Sequence, residues 1–176
     1  MLGTRHELGM SSIVPWLPAL RRAHPELTPH HYFGSGSDLP LRVRAQCETA
    51  ARIADHLAGQ KGVTRVLFCG RSDHPQAALA KRQMLGSGQV VTFEIAGGKA
   101  AAFRFLNALE LIKLSNNLGD AKSLITHPAT TTHSRLKPEA RAELGISDGM
   151  LRLSVGLESL ADLTADIDRA LAASRI

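Results

Sequence analysis

The sequence predicts an α+β fold, a mostly antiparallel sheet with helices packed on one face. Two kinds of periodicity and their order along the chain predict it. Apolar residues alternate with polar ones at Val91, Phe93 and Ile95 and again at Leu151, Leu153, Val155 and Leu157, the period of half-buried strands. Helical spacing recurs at Ala50, Ile53, Ala54, Leu57 and Ala58, and at Leu160, Leu163, Thr164, Ile167 and Leu171. The elements follow the order α-β-α-β-α-β-β-α-β-α, with short connections suited to antiparallel neighbours.

The elements are read in turn. Residues 1–39 hold four of the eight prolines, four of the eight histidines, the single Trp and the single Tyr. A short helix over Ile13–Ala23 would contain Pro15 and Pro18, and the run Gly34–Asp38 reads as a linker. This stretch is expected to be poorly packed, with the domain spanning 40–176. The first helix is expected to start just after Pro40 and to stop before Gly62. Val63–Phe68 is a β-branched strand ended by Gly70. Asp73-His74-Pro75 reads as a capping Asp followed by a first-turn Pro, with the helix running through Gln76–Met84. After the Val91–Ile95 strand and the Gly97-Gly98 break, Ala102, Phe105, Leu106, Leu109 and Ile112 form a second helix stripe. Lys113–Asn117 and Ser123–His127 are short extended pieces around a turn at Gly119-Asp120. Pro138–Leu144 is a short helix with Pro at its first position. Ser159 and Asp162 form a capping box for the last helix.

Composition narrows the function classes. The chain has 176 residues, 44% hydrophobic and 21% charged, enough for one folded domain. No apolar run approaches the length of about 18 residues needed to span a bilayer, so no membrane partner is expected. Two cysteines, Cys47 and Cys69, make neither a disulfide framework nor a zinc cage. Both read as small buried hydrophobes, reduced in a cytoplasmic protein. The net charge is +5, but the 15 Arg and 6 Lys are scattered and aromatics are only 4%. A mildly basic surface explains this better than nucleic-acid binding.

One candidate site follows from strand geometry. If helices cover the face bearing Leu151, Leu153 and Val155, then Arg152 and Ser154 point to the opposite face. Ser115 and Asn117 similarly share one face of Lys113–Asn117. A guanidinium with nearby amides on an uncovered sheet face can hold a carboxylate through two parallel hydrogen bonds. By periodicity alone, a surface Arg152 paired with Asp148 or Glu158 is the simpler reading. Asn117 reads equally well as a strand-end residue capping the Gly119 turn. His127 and His133 lack an evident third metal ligand and read as structural. Lys122 follows a tight turn and reads as solvated.

Two long segments carry more information. Leu114–His133 contains Asn116-Asn117-Leu118-Gly119-Asp120 and Thr126-His127-Pro128-Ala129-Thr130-Thr131-Thr132-His133, and Gly145–Glu158 contains Leu151-Arg152-Leu153-Ser154-Val155-Gly156-Leu157. With Ser72-Asp73-His74-Pro75, they resemble the C-terminal domain of the Cys/Met-metabolism, or trans-sulfuration, family of PLP-dependent enzymes. The doubled Asn most resembles the O-succinylhomoserine sulfhydrylase branch. The resemblance covers Pro40 to the C-terminus. It implies the small C-terminal domain of a fold-type I enzyme, pyridoxal phosphate as cofactor, and γ-replacement of an O-acylhomoserine by sulfide to give homocysteine in methionine biosynthesis. It also implies that Arg152 binds the substrate carboxylate, helped by Asn117 and the Leu118 backbone N–H. Asn117 stands where the family often has Ser.

The family's cofactor lysine lies in a large N-terminal domain, and its motif is absent here. The six lysines, Lys61, Lys81, Lys99, Lys113, Lys122 and Lys137, all fall in the region matching the small domain. The expectation is the back portion of a larger enzyme, with no catalytic residue and no covalently bound pyridoxal phosphate, inactive as a sulfhydrylase alone. The alternative is a non-catalytic interaction or amino-acid-binding module, which would self-associate or dock on a large-domain chain through its open sheet face.

Overall fold

Four buried positions of one helix face, Ala50, Ile53, Ala54 and Leu57, are sealed completely from solvent. They belong to α1, Asp38–Ala58. The computed structural model describes residues 38–175, so the expectations for residues 1–37, including the Ile13–Ala23 helix, lie outside the described residues. α1 begins two residues before Pro40 rather than after it, because a proline in the first turn has no N–H to lose. The last stripe position, Ala58, is exposed, since the chain leaves the helix there through Gly59 and Gly62, the latter with φ +92°.

The remaining elements are β1 (Val63–Leu67), α2 (Ala77–Gln83), β2 (Val90–Ile95), α3 (Gly98–Ala108), β3 (Lys113–Leu114), β4 (Leu124–Thr126), α4 (Pro138–Glu143), β5 (Met150–Ser154) and α5 (Leu160–Ser174). A 3-10 turn spans Pro128–Thr130. The five strands lie in the order β1-β2-β5-β4-β3. Three pairings are antiparallel, and only β3 with β4 is parallel. This is the expected mostly antiparallel α+β architecture. Val91, Phe93, Ile95, Leu151 and Leu153 point into one core with residues of α1, α3 and α5. Phe93 meets Phe105 edge to face, ring centres 5.7 Å apart. The other two helices, α2 and α4, bury no residue. The helices that cover the sheet are therefore three, all on one face.

Three local expectations are corrected. Asp73 does not cap α2. Its carboxylate takes two hydrogen bonds from Arg71, Nε and Nη2 each at 3.0 Å, while Arg71 Nη1 reaches Asp55 on α1 at 2.6 Å. A bidentate guanidinium outcompetes a lone backbone N–H for a carboxylate, and α2 starts later, after Gln76. Ser159 and Asp162 form no capping box: both are exposed, and Ser159 makes no side-chain cap. The first-turn N–H groups of α5 are left to solvent.

The third correction concerns the end of α3. The stripe was expected to run to Ile112, but the helix stops at Ala108. Asp166 of α5 stops it. Its buried carboxylate accepts the backbone N–H groups of Glu110, Leu111 and Ile112 at 2.9, 3.1 and 2.9 Å, and it is also bonded by Arg169. These N–H groups point at an anion instead of at helical carbonyls, so the chain turns extended and enters β3. Ile112 still reaches the core.

Two outcomes follow. Asp166→Ala leaves three N–H groups without their acceptor, at least one of them buried, and costs about 3 kcal/mol or more, measured as a lower urea midpoint. Hydrogen bonding to Arg71, reinforced by its charge, holds the Asp73 carboxyl below its ordinary value. The stabilisation from this pair is present above the ordinary carboxylate pKa of about 3.9 and is lost as pH falls through the lowered value. A carbon-detected NMR titration sees Asp73 titrate low, and Arg71→Ala returns it to the usual range.

Candidate functional site

The centre of the sheet face without helices is Arg152. In β5, Leu151 and Leu153 enter the core, so Met150, Arg152 and Ser154 project the other way. Arg152 lies opposite Thr92 of β2 and opposite Thr126 of β4. Two threonine hydroxyls therefore flank the guanidinium stem on neighbouring strands.

This face is not wholly open, as the alternation had implied. The segment 115–123 lies across its β4–β5 end and buries Ser154 and Thr126. The Gly119 N–H donates to Ser154 Oγ at 3.0 Å. Arg152 Nη2 donates to the Asn116 carbonyl at 2.8 Å. Thr126 Oγ1 donates to Asn116 Oδ1 at 2.9 Å. Further along, Gln46 of α1 donates to the Asp120 carbonyl at 2.7 Å, and Leu157 N–H to the Ala121 carbonyl at 2.8 Å. Glu158 takes both the backbone N–H and the hydroxyl of Ser123, at 2.7 and 2.8 Å. The Ser123 hydroxyl in turn accepts the Gly156 N–H at 2.8 Å. A loop held at this many points is a rigid wall rather than a lid.

The predicted residues fall into place unevenly. Arg152 is half-buried, and its Nε is enclosed with no hydrogen-bond partner among the described residues. Neither acid proposed for it is engaged with it: Asp148 meets Arg141 at 3.4 Å and Glu158 holds Ser123. Ser115 and Asn117 are not strand residues sharing a face, because β3 ends at Leu114. The chain turns there, and Asn117 N–H donates back to Ser115 Oγ at 3.2 Å. Asn117 and Leu118 are both exposed and follow directly on the Asn116 that Arg152 touches. Missed by sequence reasoning were Asn116, Thr126 and Ser123, and Glu158 was given the wrong partner. Their signal lay in the two segments quoted above, but not in any periodicity.

The other candidates resolve simply. His127 is buried, with Nδ1 2.9 Å from Thr130 Oγ1 and Nε2 2.9 Å from the Asp148 carbonyl, and its ring lies 5.3 Å from that of Phe103. It is structural. No cluster of three metal-ligating side chains occurs among the described residues. Cys47 and Cys69 are half-buried rather than fully buried, Cys69 because β1 has ended before it.

Residues 37–172 match the model of the Cys/Met metabolism PLP-dependent enzyme family. The chain belongs to this family. It is 46% identical over 157 residues to the O-succinylhomoserine sulfhydrylase of Pseudomonas aeruginosa, covering 88% of this chain and 39% of that protein. It is 47% identical over 136 residues to the L-methionine gamma-lyase of Pseudomonas putida, covering 77% and 34%. Its fold matches the crystal structure of cystathionine gamma synthase from Xanthomonas oryzae pv. oryzae in complex with aminoacrylate and cysteine, with TM-score 0.74, 44% identity, and coverage of 77% and 35%. The chain spans less than two fifths of the length of each of these relatives.

Family membership raises the question of pyridoxal phosphate. A lysine that reacts with a carbonyl needs an amine desolvated or otherwise kept neutral. All six lysines of the chain are exposed. The described residues therefore do not fit the cofactor's covalent anchor. They do contain a wall and a cation. No helix among them is long and apolar enough to cross a membrane.

The wall depends on Gly156. A Cβ there would sit 2.5 Å from the Ala121 carbonyl oxygen and from Lys122 C, both backbone atoms. Gly156→Ala therefore displaces the segment or the end of β5, and lowers stability by about 1–3 kcal/mol in thermal or urea unfolding.

Proposed function

We propose that this chain is the substrate-orienting, C-terminal domain, residues 40–176 in outline, of an O-succinylhomoserine sulfhydrylase-like enzyme. Arg152 grips the α-carboxylate of an O-acylhomoserine, and the Asn117 amide and Leu118 N–H assist from the adjoining loop. The observation that carries this reading is the environment of the Arg152 guanidinium. It is half-buried on the helix-free face, it has no carboxylate partner among the described residues, and its Nε is enclosed without an acceptor. The enclosed Nε, a feature shared with Arg141, is closed to a ligand, so a carboxylate would take charge-assisted bonds from the N–H donors at the guanidinium's open end. The Leu118 N–H, in turn, donates to none of the described residues.

Pyridoxal phosphate, when bound in the whole enzyme, supplies the electron sink for replacing the γ-acyl group by sulfide. Its lysine lies outside the described residues. The part played by this domain is to fix the amino-acid end of the substrate, so that only the γ-substituent is free to change. Sulfhydrylase relatives at 46% identity over 88% of this chain and at 53% over 76% of it support the choice of reaction, beside 47% over 77% for the gamma-lyase.

Titration with O-succinyl-L-homoserine raises the melting temperature of the 176-residue chain saturably. Arg152→Ala weakens that binding about tenfold or more, Arg152→Lys keeps part of it, and the carboxamide analogue does not bind. Equal stabilisation of wild type and Arg152→Ala overturns the reading. With added pyridoxal phosphate, O-succinyl-L-homoserine and sulfide, the chain forms no homocysteine at an enzyme-like rate. Turnover would overturn the placement of the lysine elsewhere.

A further inference from the structure

We propose that Thr126 and Asn116 are positioning residues that aim the Arg152 guanidinium before any carboxylate arrives. The inference rests on the carboxylate-binding reading of Arg152 and adds to it a second layer that the reading does not require.

Arg152 and Thr126 are direct cross-strand partners on β5 and β4. Both reach the same third residue. Asn116 accepts Thr126 Oγ1 on its side-chain Oδ1 at 2.9 Å and accepts Arg152 Nη2 on its backbone carbonyl at 2.8 Å. Asn116 is thus the crosspiece between two adjacent strand positions. Although Asn117 is the residue that matches the family motif, it is Asn116 that touches the arginine. Asn116 itself is exposed; the peptide that carries its carbonyl is held on one side by the Asn117 N–H bond to Ser115 Oγ at 3.2 Å, and the Thr126 bond to its side chain adds a second hold.

Behind Thr126 the chain of bonds continues inward. Thr131 Oγ1 lies 2.8 Å from Thr126 Oγ1 and 2.7 Å from the His127 carbonyl; because the Thr126 proton goes to Asn116, the single Thr131 proton serves one of these two acceptors at a time. His127 is buried, and Asp148 and Thr130 flank its ring nitrogens. The row Thr131, Thr126, Asn116, Arg152 therefore ties the guanidinium to a rigid part of the fold. An arginine has five N–H donors on a flexible stem. Anchoring one of them to a fixed carbonyl removes rotamer freedom that binding would otherwise have to remove.

The test uses the isotopically labelled 176-residue chain. The Arg152 Nε–H resonance, assigned by its loss in Arg152→Lys, reports side-chain order. Wild type is expected to show a rigid, slowly exchanging Nε–H. Thr126→Val, which keeps shape and removes the hydroxyl, raises its exchange about tenfold and lowers its heteronuclear NOE, while backbone amide spectra stay native. Thr126→Ser restores both. Asn116→Ala, at an exposed position, gives the same loosening if Thr126→Val fails to fold. The Asn116→Ala/Thr126→Val double variant is no looser than either single variant. Affinity for O-succinyl-L-homoserine falls about three- to tenfold in Thr126→Val and recovers in Thr126→Ser. An Arg152 Nε–H unchanged in both Thr126→Val and Asn116→Ala, or Thr126→Ser behaving as Thr126→Val, overturns the proposal. If wild type binds no ligand, the carboxylate reading fails, and the NMR comparison still decides whether these residues hold the arginine.

Discussion

The register of β5 between β2 and β4 is the constraint on which the rest depends. Leu151 and Leu153 stand in the core beside Phe93, Phe105 and Ile167, and Arg152 between them stands on the other face. Because side chains alternate with a period of two, a slip of one residue would drive the guanidinium into that core and bring both leucines out. The cost of burying an unpaired guanidinium among aliphatic and aromatic side chains is several kcal/mol. The hydrophobic alternation that builds the sheet is thus the same feature that aims the site residue. The register also sets Thr126 and Thr92 on either side of it.

Two buried or half-buried acids complete the architecture, and both are spent on backbone donors. Asp166 ends α3 and delivers the chain to β3. Glu158 holds Ser123 and so fixes the return of the wall segment. Each replaces a stretch of regular hydrogen bonding by a carboxylate with several acceptor sites. Arg152 makes one hydrogen bond to a neutral carbonyl, as Arg104 and Arg175 do; what differs is its place on the helix-free face.

Legibility followed physical range. β2 and β5 were readable because one face is wet and one dry, so their alternation survives in the sequence. The stripes of α1 and α5 were readable for the same reason at helical period. The end of α3 was not readable: Leu109 and Ile112 continue the stripe, and only Asp166, more than fifty residues away, stops the helix. Asp73 looked like a cap because capping is local, but Arg71 took its carboxylate. Ser115 and Asn117 looked like strand residues until the turn that returns Asn117 N–H to Ser115 Oγ. The side of β5 on which Arg152 stands was legible from strand parity, whereas its proposed role came from the motif alone. Asn116 was invisible to periodicity because it is one polar residue in a short polar stretch, and Thr126 because its strand is only three residues long and buried throughout.

What the sequence determined by itself was the family, the α+β class, the parity of Arg152 on its strand and the apolar faces of α1, α3 and α5. All of these are carried by residues near one another in the chain, or by long motifs whose order is preserved. Only the tertiary structure decided which carboxylates are consumed by backbone donors, where helices end, and that segment 115–123 folds over the helix-free face to touch Arg152. Those outcomes are competitions between partners distant in sequence, and they are settled by which donor and acceptor the packed core brings within hydrogen-bond distance.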